Sequence, residues 1–405
     1  MNQVIIYTQA YDAQKTIERT IKSVVSQTYT NWVWHLVDNG STDKTSQIIH
    51  AYAAQDARII PARNQKNHVW ESGNSVFEVL SRYENGDYFC WLDADDEYTA
   101  DFLEKMLAFI ARNQLDVGAC GYDFIDSSTN KSLGVRKLNQ DVILQGSAFE
   151  THFPAYHQFM RTSWCKLYSL SVLRSFDFEI FNQVSYGWDT IFAMGAFRRA
   201  KRVGILAESL HKYYVSPKSV SYQFDKKRIG SDRILHETAC SFLVEKGGYV
   251  SPRNEDFLLA VYMNALKDTL NVLLNARISP REKTAGVIEI VTHKYTGRLM
   301  AKEGLGLEVG SLAQMSAQRK ELFSTLAHWL LSQNEVSDEL IEEYCNAGEM
   351  LSAVIENADG WLFFKKLRVR FFLEQNRKDE ARDSLNELAE LIPNDPDVMD
   401  FQQSC

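Results

Sequence analysis

The sequence predicts an α/β domain, built on a mostly parallel sheet with helices on both faces, followed by an all-α region. Three observations carry this. Short apolar runs alternate with amphipathic stretches over the first hundred residues, as in βαβ units. Three of those runs end in polar loops, TQAYD, DNGSTD and DADD. In an open parallel sheet such carboxyl ends share one rim, and ligands bind there. Beyond Gln223 strand-like runs vanish and helical periodicity takes over, so the expected domains are 1–225 and 226–405.

Val4–Tyr7 (VIIY) reads as a buried strand, since all four residues are apolar. Within Ala13–Gln27, Ile17, Ile21, Val24 and Val25 recur on one helical face. Trp32–Val37 is the next strand, and a helix is expected over Ser41–Ala51 with Ser41 or Thr42 as its cap. Arg58–Ile60, Ser72–Tyr83 and Tyr88–Leu92 follow as strand, helix and strand, and Phe102–Arg112 as a helix. From Val117 the pattern loosens into strands, a polar insert (Asp126–Asp141) and mixed segments to about Tyr222. The helical region reads as Phe257–Leu274, Gly286–Leu299, Lys320–Ser332 and Glu339–Ile355, then a pair of helices over Trp361–Leu391 broken at Gln375–Lys378. That pair fits one degenerate tetratricopeptide unit or a plain helical hairpin, and no fixed repeat period decides between them.

At 405 residues the chain exceeds the size at which a single core stops growing, which agrees with two domains. A composition of 45% hydrophobic and 24% charged residues excludes wholesale disorder, collagen and a coiled-coil rod. The net charge of −9 makes nucleic acid a poor general partner. The basic runs Arg198–Arg202 and Lys226–Arg228 read as solvated faces, or as contacts to an anionic acceptor or lipid headgroups. Six scattered cysteines without a Cys-x-x-Cys fit reduced thiols. The first residues lack the basic and apolar stretches of a secretory leader, and no run approaches the about 18 unbroken apolar residues of a spanning helix. The expected location is the cytoplasm, including the cytosolic face of a membrane.

The DADD of Asp93–Asp96 is the most informative local feature. Three carboxylates in four residues repel one another unless a divalent cation intervenes, and Mg²⁺ or Mn²⁺ shared with substrate phosphates is the usual resolution. Such a cation would neutralise a departing diphosphate. The bland alternative is a solvated turn, or a cap for the helix at Phe102. In the second loop Asp38 ends a strand, Gly40 permits the turn and Ser41 opens a helix whose amides suit an anion. The loop lacks G-x-G-x-x-G and G-x-x-x-x-G-K-[ST], which argues against a dinucleotide site and a P-loop ATPase. His152, His157 and His211 lack zinc spacing and read as ordinary loop or pocket residues.

Taken together, VIIYTQAYDAQKTIERTIKSVVSQTYTNWVWHLVDNGSTD and the later GDYFCWLDADD resemble the family 2 nucleotide-sugar glycosyltransferases of GT-A fold. The family pattern is a strand ending in a Tyr-Asn turn, a helix closing on S-x-x-x-Q-T-Y, then V-D-D-G-S-T-D and a strand ending in D-x-D-D. This chain carries Tyr11-Asp12, Ser23–Tyr29, Val37–Asp43 and Asp93–Asp96 in the same order. Trp164–Tyr168 resembles W-x-K-L-[FY], Tyr186–Phe192 resembles G-E-D-x-x-F, and Leu210–Tyr222 resembles the segment that closes many such domains. The resemblance runs from about Gln3 to Tyr222.

The resemblance implies an inverting transferase that moves a sugar from a nucleotide diphosphate, a UDP-sugar foremost, onto an acceptor hydroxyl with Mn²⁺ or Mg²⁺. By position it implies Gln9, Tyr11 and Asp38 at the nucleotide, with Asp38 accepting the uracil N3–H. It further implies Asp93 near ribose and metal, Asp95 on the metal and Asp189 as the base. Asp96 would support the metal loop or face the acceptor side, where Trp188 and Lys166 are also expected. Asn67 reads as an amide for the nucleotide or as a solvated loop residue, and Asp189 also reads as a cap for a helix Thr190–Arg199. Three departures stand out. Asn39 replaces the family's second Asp. Trp188 replaces the Glu before the base and is either an acceptor-stacking ring or a packing residue. Ser72-Gly73-Asn74 stands where the family has Ala-Arg-Asn, which leaves Lys66, His68 or Arg63 to supply positive charge at the diphosphate.

The expected partners are a nucleotide-sugar donor and a surface glycan or lipid-linked saccharide, with a peptide acceptor held by the helical domain as the rival. The helical domain is otherwise left to dimerisation or docking, and a homo-oligomer is left open. A sugar nucleotidyltransferase would want a Gly-rich loop that TQAYDAQ lacks, and a non-catalytic scaffold has no reason to keep Asp38, Asp93, Asp95 and Asp189 together.

Overall fold

The computed structural model describes residues 2–67, 75–84, 86–174, 179–215, 224–302, 312–333 and 336–405. Two compact units result: Met1–Ser221 with Glu237–Ser251, and Tyr222–His236 with Pro252–Cys405.

The first unit opens with β1 (Val4–Ala10), α1 (Ile17–Val25), β2 (Trp32–Asp38), α2 (Thr45–Ala53), β3 (Ile59–Arg63), α3 (Val76–Leu80) and β4 (Tyr88–Trp91). It continues with β5 (Glu97–Tyr98), α4 (Phe102–Asn113), β6 (Val117–Asp126), β7 (Ser132–Arg136) and β8 (Val142–Leu144). The short helices α5 (Ala148–Thr151) and α6 (Phe153–Tyr156) then lead to β9 (Lys166–Ser169), α7 (Leu170–Leu173), α8 (Trp188–Arg199) and β10 (Val203–Val215). The sheet order is β3-β2-β1-β4-β9-β6-β10-β5, with β7 on β6 and β8 on β10. Strands β1 to β4 are parallel, β9 runs against both of its neighbours, and β6 and β10 are parallel to each other. The α/β expectation therefore holds for a mixed sheet. Val4–Tyr7 are wholly buried, as a strand covered on both faces must be, which is why the run is uniformly apolar. The polar insert contains β7, and the mixed stretch contains β9 and the thirteen-residue β10. The four-residue β9 escaped the sequence because it is short and opens on a buried Lys, and β10 because its residues alternate irregularly in burial.

The segment 237–251 packs with this unit through Phe242, whose ring lies 6.0 Å from those of Phe149 and Phe153. It belongs to α9 (Arg228–Gly247), whose residues through His236 count with the second unit.

The second unit is helical: α10 (Pro252–Asn275), α11 (Pro280–Thr292), α12 (Lys294–Ala301), α13 (Leu312–Leu331), α14 (Ile341–Val354), α15 (Ala358–Glu374), α16 (Lys378–Leu391) and α17 (Pro396–Ser404). The helix expected over Gly286–Leu299 is broken at His293, whose extended backbone makes it the cap of α12. The pair α15–α16 is a helical hairpin, and with α17 it shares a core of Val369, Phe372, Leu385, Leu388 and Val398. Helix α10 is long and apolar enough to cross a membrane by length and composition, with a mean hydropathy of 1.3 over a window that is 56% buried. Its Leu259, Met263, Leu266, Leu270 and Leu273 belong to the core shared with α11 and α13.

Candidate active site

Strand register assembles the rim. Ala10 at the end of β1 pairs with Asp38 at the end of β2, and Asp38 pairs with Arg63 at the end of β3. On the other side of β1, Tyr7 pairs with Trp91. Leu92 extends that match: its N–H donates to the Tyr7 carbonyl, and its own carbonyl accepts from Thr8 Oγ1 at 2.6 Å. The sheet grows from β1 toward β2 on one side and toward β4 on the other. This is the topological switch point, and the crevice outside it is where such sheets bind ligands. Gln9, Asp38 and Asp93 thus lie along one rim, with Gln9 donating to the Tyr7 hydroxyl at 3.0 Å.

The first two rim loops are laced together. The N–H groups of Asp12, Ala13 and Gln14 donate to Ser41 Oγ, Thr45 Oγ1 and Asp43 Oδ2, at 3.0, 2.8 and 3.1 Å. In return, Thr42 N–H donates to Asp12 Oδ1 at 2.8 Å and Lys44 N–H to Gln14 Oε1 at 3.2 Å. Asp12 adopts a left-handed φ of 47° to make this exchange. The lacing corrects the expected helix start: the amides of Ser41, Thr42 and Lys44 are spent on Asp38 or on the neighbouring loop, so α2 begins at Thr45 and neither Ser41 nor Thr42 caps it. Tyr11 stands 47% exposed beside the laced turn.

Asp38 is fully buried. Its Oδ1 accepts from Ser41 N–H at 3.0 Å, and its Oδ2 lies 3.3 Å from Arg63 Nε without hydrogen-bond geometry. Arg63 also donates to the Ser41 carbonyl, so its guanidinium braces the β2 loop. Asn39 accepts from Asn64 at 2.8 Å and donates to Asn67 Oδ1 at 3.1 Å, so the amide that stands in place of an Asp links two loops. His68 and Ser72–Asn74 lie outside the described residues, as does the end of the Leu210–Tyr222 segment.

The acidic turn is built against β10. Asp96 is buried: its Oδ2 lies 2.9 Å from His211 Nε2, and its Oδ1 accepts from Tyr214 N–H. His211 stacks on Trp164 at 4.7 Å, and burial pushes its imidazole down to about 3. Burial raises the Asp96 carboxyl as it lowers the imidazole, so the two share this hydrogen bond without forming an ion pair. Asp96 therefore ties the turn to β10 from within and offers no carboxylate oxygen to an acceptor. Asp93 and Asp95 are half-buried. Burial raises both carboxyls, and the charges of Asp96, Asp189 and Asp95 raise Asp93 further. This crowding of like charge is what a divalent cation would relieve. Among the described residues no cluster of three or more His, Cys, Asp or Glu side chains could hold a metal by itself. The turn fits instead a cation held by one or two carboxylates and completed by substrate phosphates.

Asp189 comes from α8, which packs on β4 and β9 through Trp188 and Phe192. Helix α8 begins at Trp188 behind Gly187, whose φ is 79°, so Asp189 lies within the first turn and does not cap the helix. Its Oδ1 accepts from Ser163 N–H at 3.3 Å and from Ser163 Oγ. Burial raises the Asp189 carboxyl to about 6, against the downward pull of the Ser163 bonds and the Lys166 charge. Lys166 is itself buried, and its ammonium donates to the Thr162 and Trp164 carbonyls and to Thr162 Oγ1. It secures the turn that carries Ser163, and its burial leaves it no face toward an acceptor. Trp188 packs on Trp91 at 5.0 Å, and Trp91 on Tyr7 at 5.1 Å, so the ring is half-buried in an aromatic wall beside Asp189. Sequence reasoning missed Ser163, because nothing in its neighbourhood signals a partner 26 residues away.

Residues 5–176 match the model of glycosyl transferase family 2. The chain is similar to the uncharacterised glycosyltransferase EpsJ of Bacillus subtilis (strain 168), 25% identical over 220 residues that cover 54% of this chain and 62% of that protein. It is also similar to the UDP-Glc:α-D-GlcNAc-diphosphoundecaprenol β-1,3-glucosyltransferase WfgD of Escherichia coli, 26% identical over 144 residues, 35% of this chain and 55% of that protein. In both cases the match spans less than two thirds of the relative. Among solved structures, residues 1–349 of S. aureus TarS, in complex with UDP-GlcNAc, align over 89% of each chain at 14% identity with a TM-score of 0.44. The α/β unit thus carries the match to glycosyl transferase family 2, over residues 5–176.

Proposed function

We propose that the protein is an inverting glycosyltransferase that moves a sugar from a nucleotide diphosphate, a UDP-sugar, to a hydroxyl of a surface glycan or lipid-linked saccharide. The observation that carries this reading is the register that sets Asp38 and the acidic turn on one rim, with the charge of Asp189 acting on Asp93. WfgD, whose name states a UDP-sugar donor and a lipid diphosphate acceptor, supports the substrate classes.

In this mechanism Asp38 serves the base edge of the nucleotide, its carboxylate held by Ser41 N–H and faced by Arg63. Gln9, Tyr11 and Asn67 line the nucleotide side. Asp93 and Asp95 would hold a divalent cation, which when bound neutralises charge on the diphosphate leaving group. Asp189 takes the proton from the acceptor hydroxyl as its oxygen bonds to the anomeric carbon, and the bond from that carbon to the diphosphate breaks on the opposite face. The products are the glycoside and the nucleoside diphosphate. A carboxyl near 6 is ionised at neutral pH yet basic enough for the task. Ser163 holds Oδ1, and the mechanism assigns Oδ2 to the acceptor. Trp188 offers the acceptor an aromatic wall.

The test is release of nucleoside diphosphate from a panel of UDP-, GDP- and dTDP-sugars with Mn²⁺, comparing the natural chain with Asp189→Asn. Turnover of one donor that the substitution suppresses supports the assignment. Turnover that survives Asp189→Asn removes Asp189 from the role of base.

A further inference from the structure

The S-x-x-x-Q of Ser23–Gln27 has no part in the chemistry above, yet its Ser23 and Gln27 side chains are buried. Thr20, Ser23 and Gln27 repeat at i, i+3 and i+7, one stripe along α1 and the turn that ends it. Stripes facing a sheet are normally apolar, and a buried polar one requires partners. Ser23 Oγ donates to the Thr20 carbonyl and Gln27 Nε2 to the Ser23 carbonyl within the stripe, and every partner outside it lies in one short segment. Thr20 Oγ1 donates to the Ala94 carbonyl at 3.1 Å, and Ser23 Oγ accepts from Tyr98 N–H at 3.3 Å. Gln27 donates to the Thr99 carbonyl at 2.7 Å and accepts from Leu103 N–H at 3.0 Å.

Arg19 extends the stripe by one residue. Its guanidinium donates to the Asp95 carbonyl, pairs with Glu97 at 3.0 Å and lies 3.4 Å above the Tyr214 ring. The Tyr214 hydroxyl in turn donates to Glu97 at 2.6 Å, and Tyr214 N–H donates to Asp96. Helix α1 thus grips the acidic turn from one side while β10 grips it from the other.

We propose that Arg19, Thr20, Ser23 and Gln27 form a latch that positions the acidic turn for the donor diphosphate. This rests on the proposed function for its catalytic meaning, though not for its geometry. The four are positioning residues: none is assigned to the donor, and each acts through the backbone of residues 94–103. A turn with two carbonyls pinned keeps Asp93 and Asp95 at fixed spacing, so the donor does not have to order them on binding.

Hydrogen–deuterium exchange on the full chain, combined with titrations of UDP plus Mn²⁺ and of uridine without metal, tests the latch. In Arg19→Gln and Thr20→Val, exchange over residues 93–104 rises about fivefold while β1 and β2 keep their protection. Affinity for UDP with Mn²⁺ falls about tenfold, uridine affinity holds, and Thr20→Ser, which keeps the hydroxyl, restores both. Unchanged exchange over 93–104, or an equal rise throughout the sheet, overturns the latch, as does equal loss of uridine and UDP. Should the natural chain bind no UDP with Mn²⁺, the functional reading fails, and the exchange data alone still decide the latch.

Discussion

Asp38 and Arg63 are register partners at the ends of β2 and β3, and Arg63 Nε lies 3.3 Å from the buried Asp38 Oδ2. The pair joins an interior carboxylate to a guanidinium that is half in solvent, so its two halves differ in energetic weight. Removing the cation leaves a buried carboxylate with less compensation, whereas the exposed Arg loses little. Arg63→Gln should cost about 1 kcal/mol of stability, read from urea unfolding, and should weaken uridine binding because the Asp38 oxygen is left less well ordered. An unchanged unfolding midpoint would show that the Ser41 N–H bond alone suffices.

Ser163 lowers the Asp189 carboxyl against the upward push of burial. If Asp189 is the base, kcat/KM rises with pH through about 6 and levels off above it, since only the ionised form accepts the proton. Ser163→Ala removes the hydroxyl that favours the charged form and should move that midpoint upward. The pH–rate profile of the two proteins checks this, and a coincident midpoint would contradict it.

Burial raises the carboxyl of Asp232, in α9, to about 7 from an ordinary 3.8. The folded chain therefore holds this proton more tightly than the unfolded chain. The stability linked to it is complete below about 4 and is lost as the pH rises through about 7. Asp232→Asn stays neutral throughout, so its Tm should fall less than that of the natural chain between pH 4 and pH 7. Parallel Tm profiles would argue against the shift.

Gly348 in α14 faces the buried Phe364 of α15, and a Cβ there would meet ring carbons at 2.4 Å. Gly348→Ala gains helix propensity on α14 but overpacks the contact. The expected net effect is a loss of about 1–3 kcal/mol, measured by chemical unfolding. Phe364→Leu in the same background should recover part of the loss.

Much of the first unit was legible in the sequence because the parallel strands are buried on both faces and read as continuous apolar runs, while α1 carries its Ile17, Ile21 and Val24 on one side. Asp38 and Asp93 could be named because each follows directly on such a run, and Asp95 because it stands in the same acidic turn. Element ends were less legible. Helix α2 starts later than its Ser-Thr signal implies, because those residues answer a loop about thirty positions earlier. In the helical unit, one extended residue, His293, divides what periodicity joined.

The sequence by itself determined which segments become buried strands, which helical faces turn inward and which rim loops are acidic, since periodicity and local charge are properties of neighbouring residues. Tertiary structure alone decided which polar groups meet. Ser163 with Asp189, His211 with Asp96 and Thr20 with the Ala94 carbonyl are separated by 26, 115 and 74 residues. A short-range pattern holds no record of such pairings, because they exist only once the sheet order has brought the elements side by side.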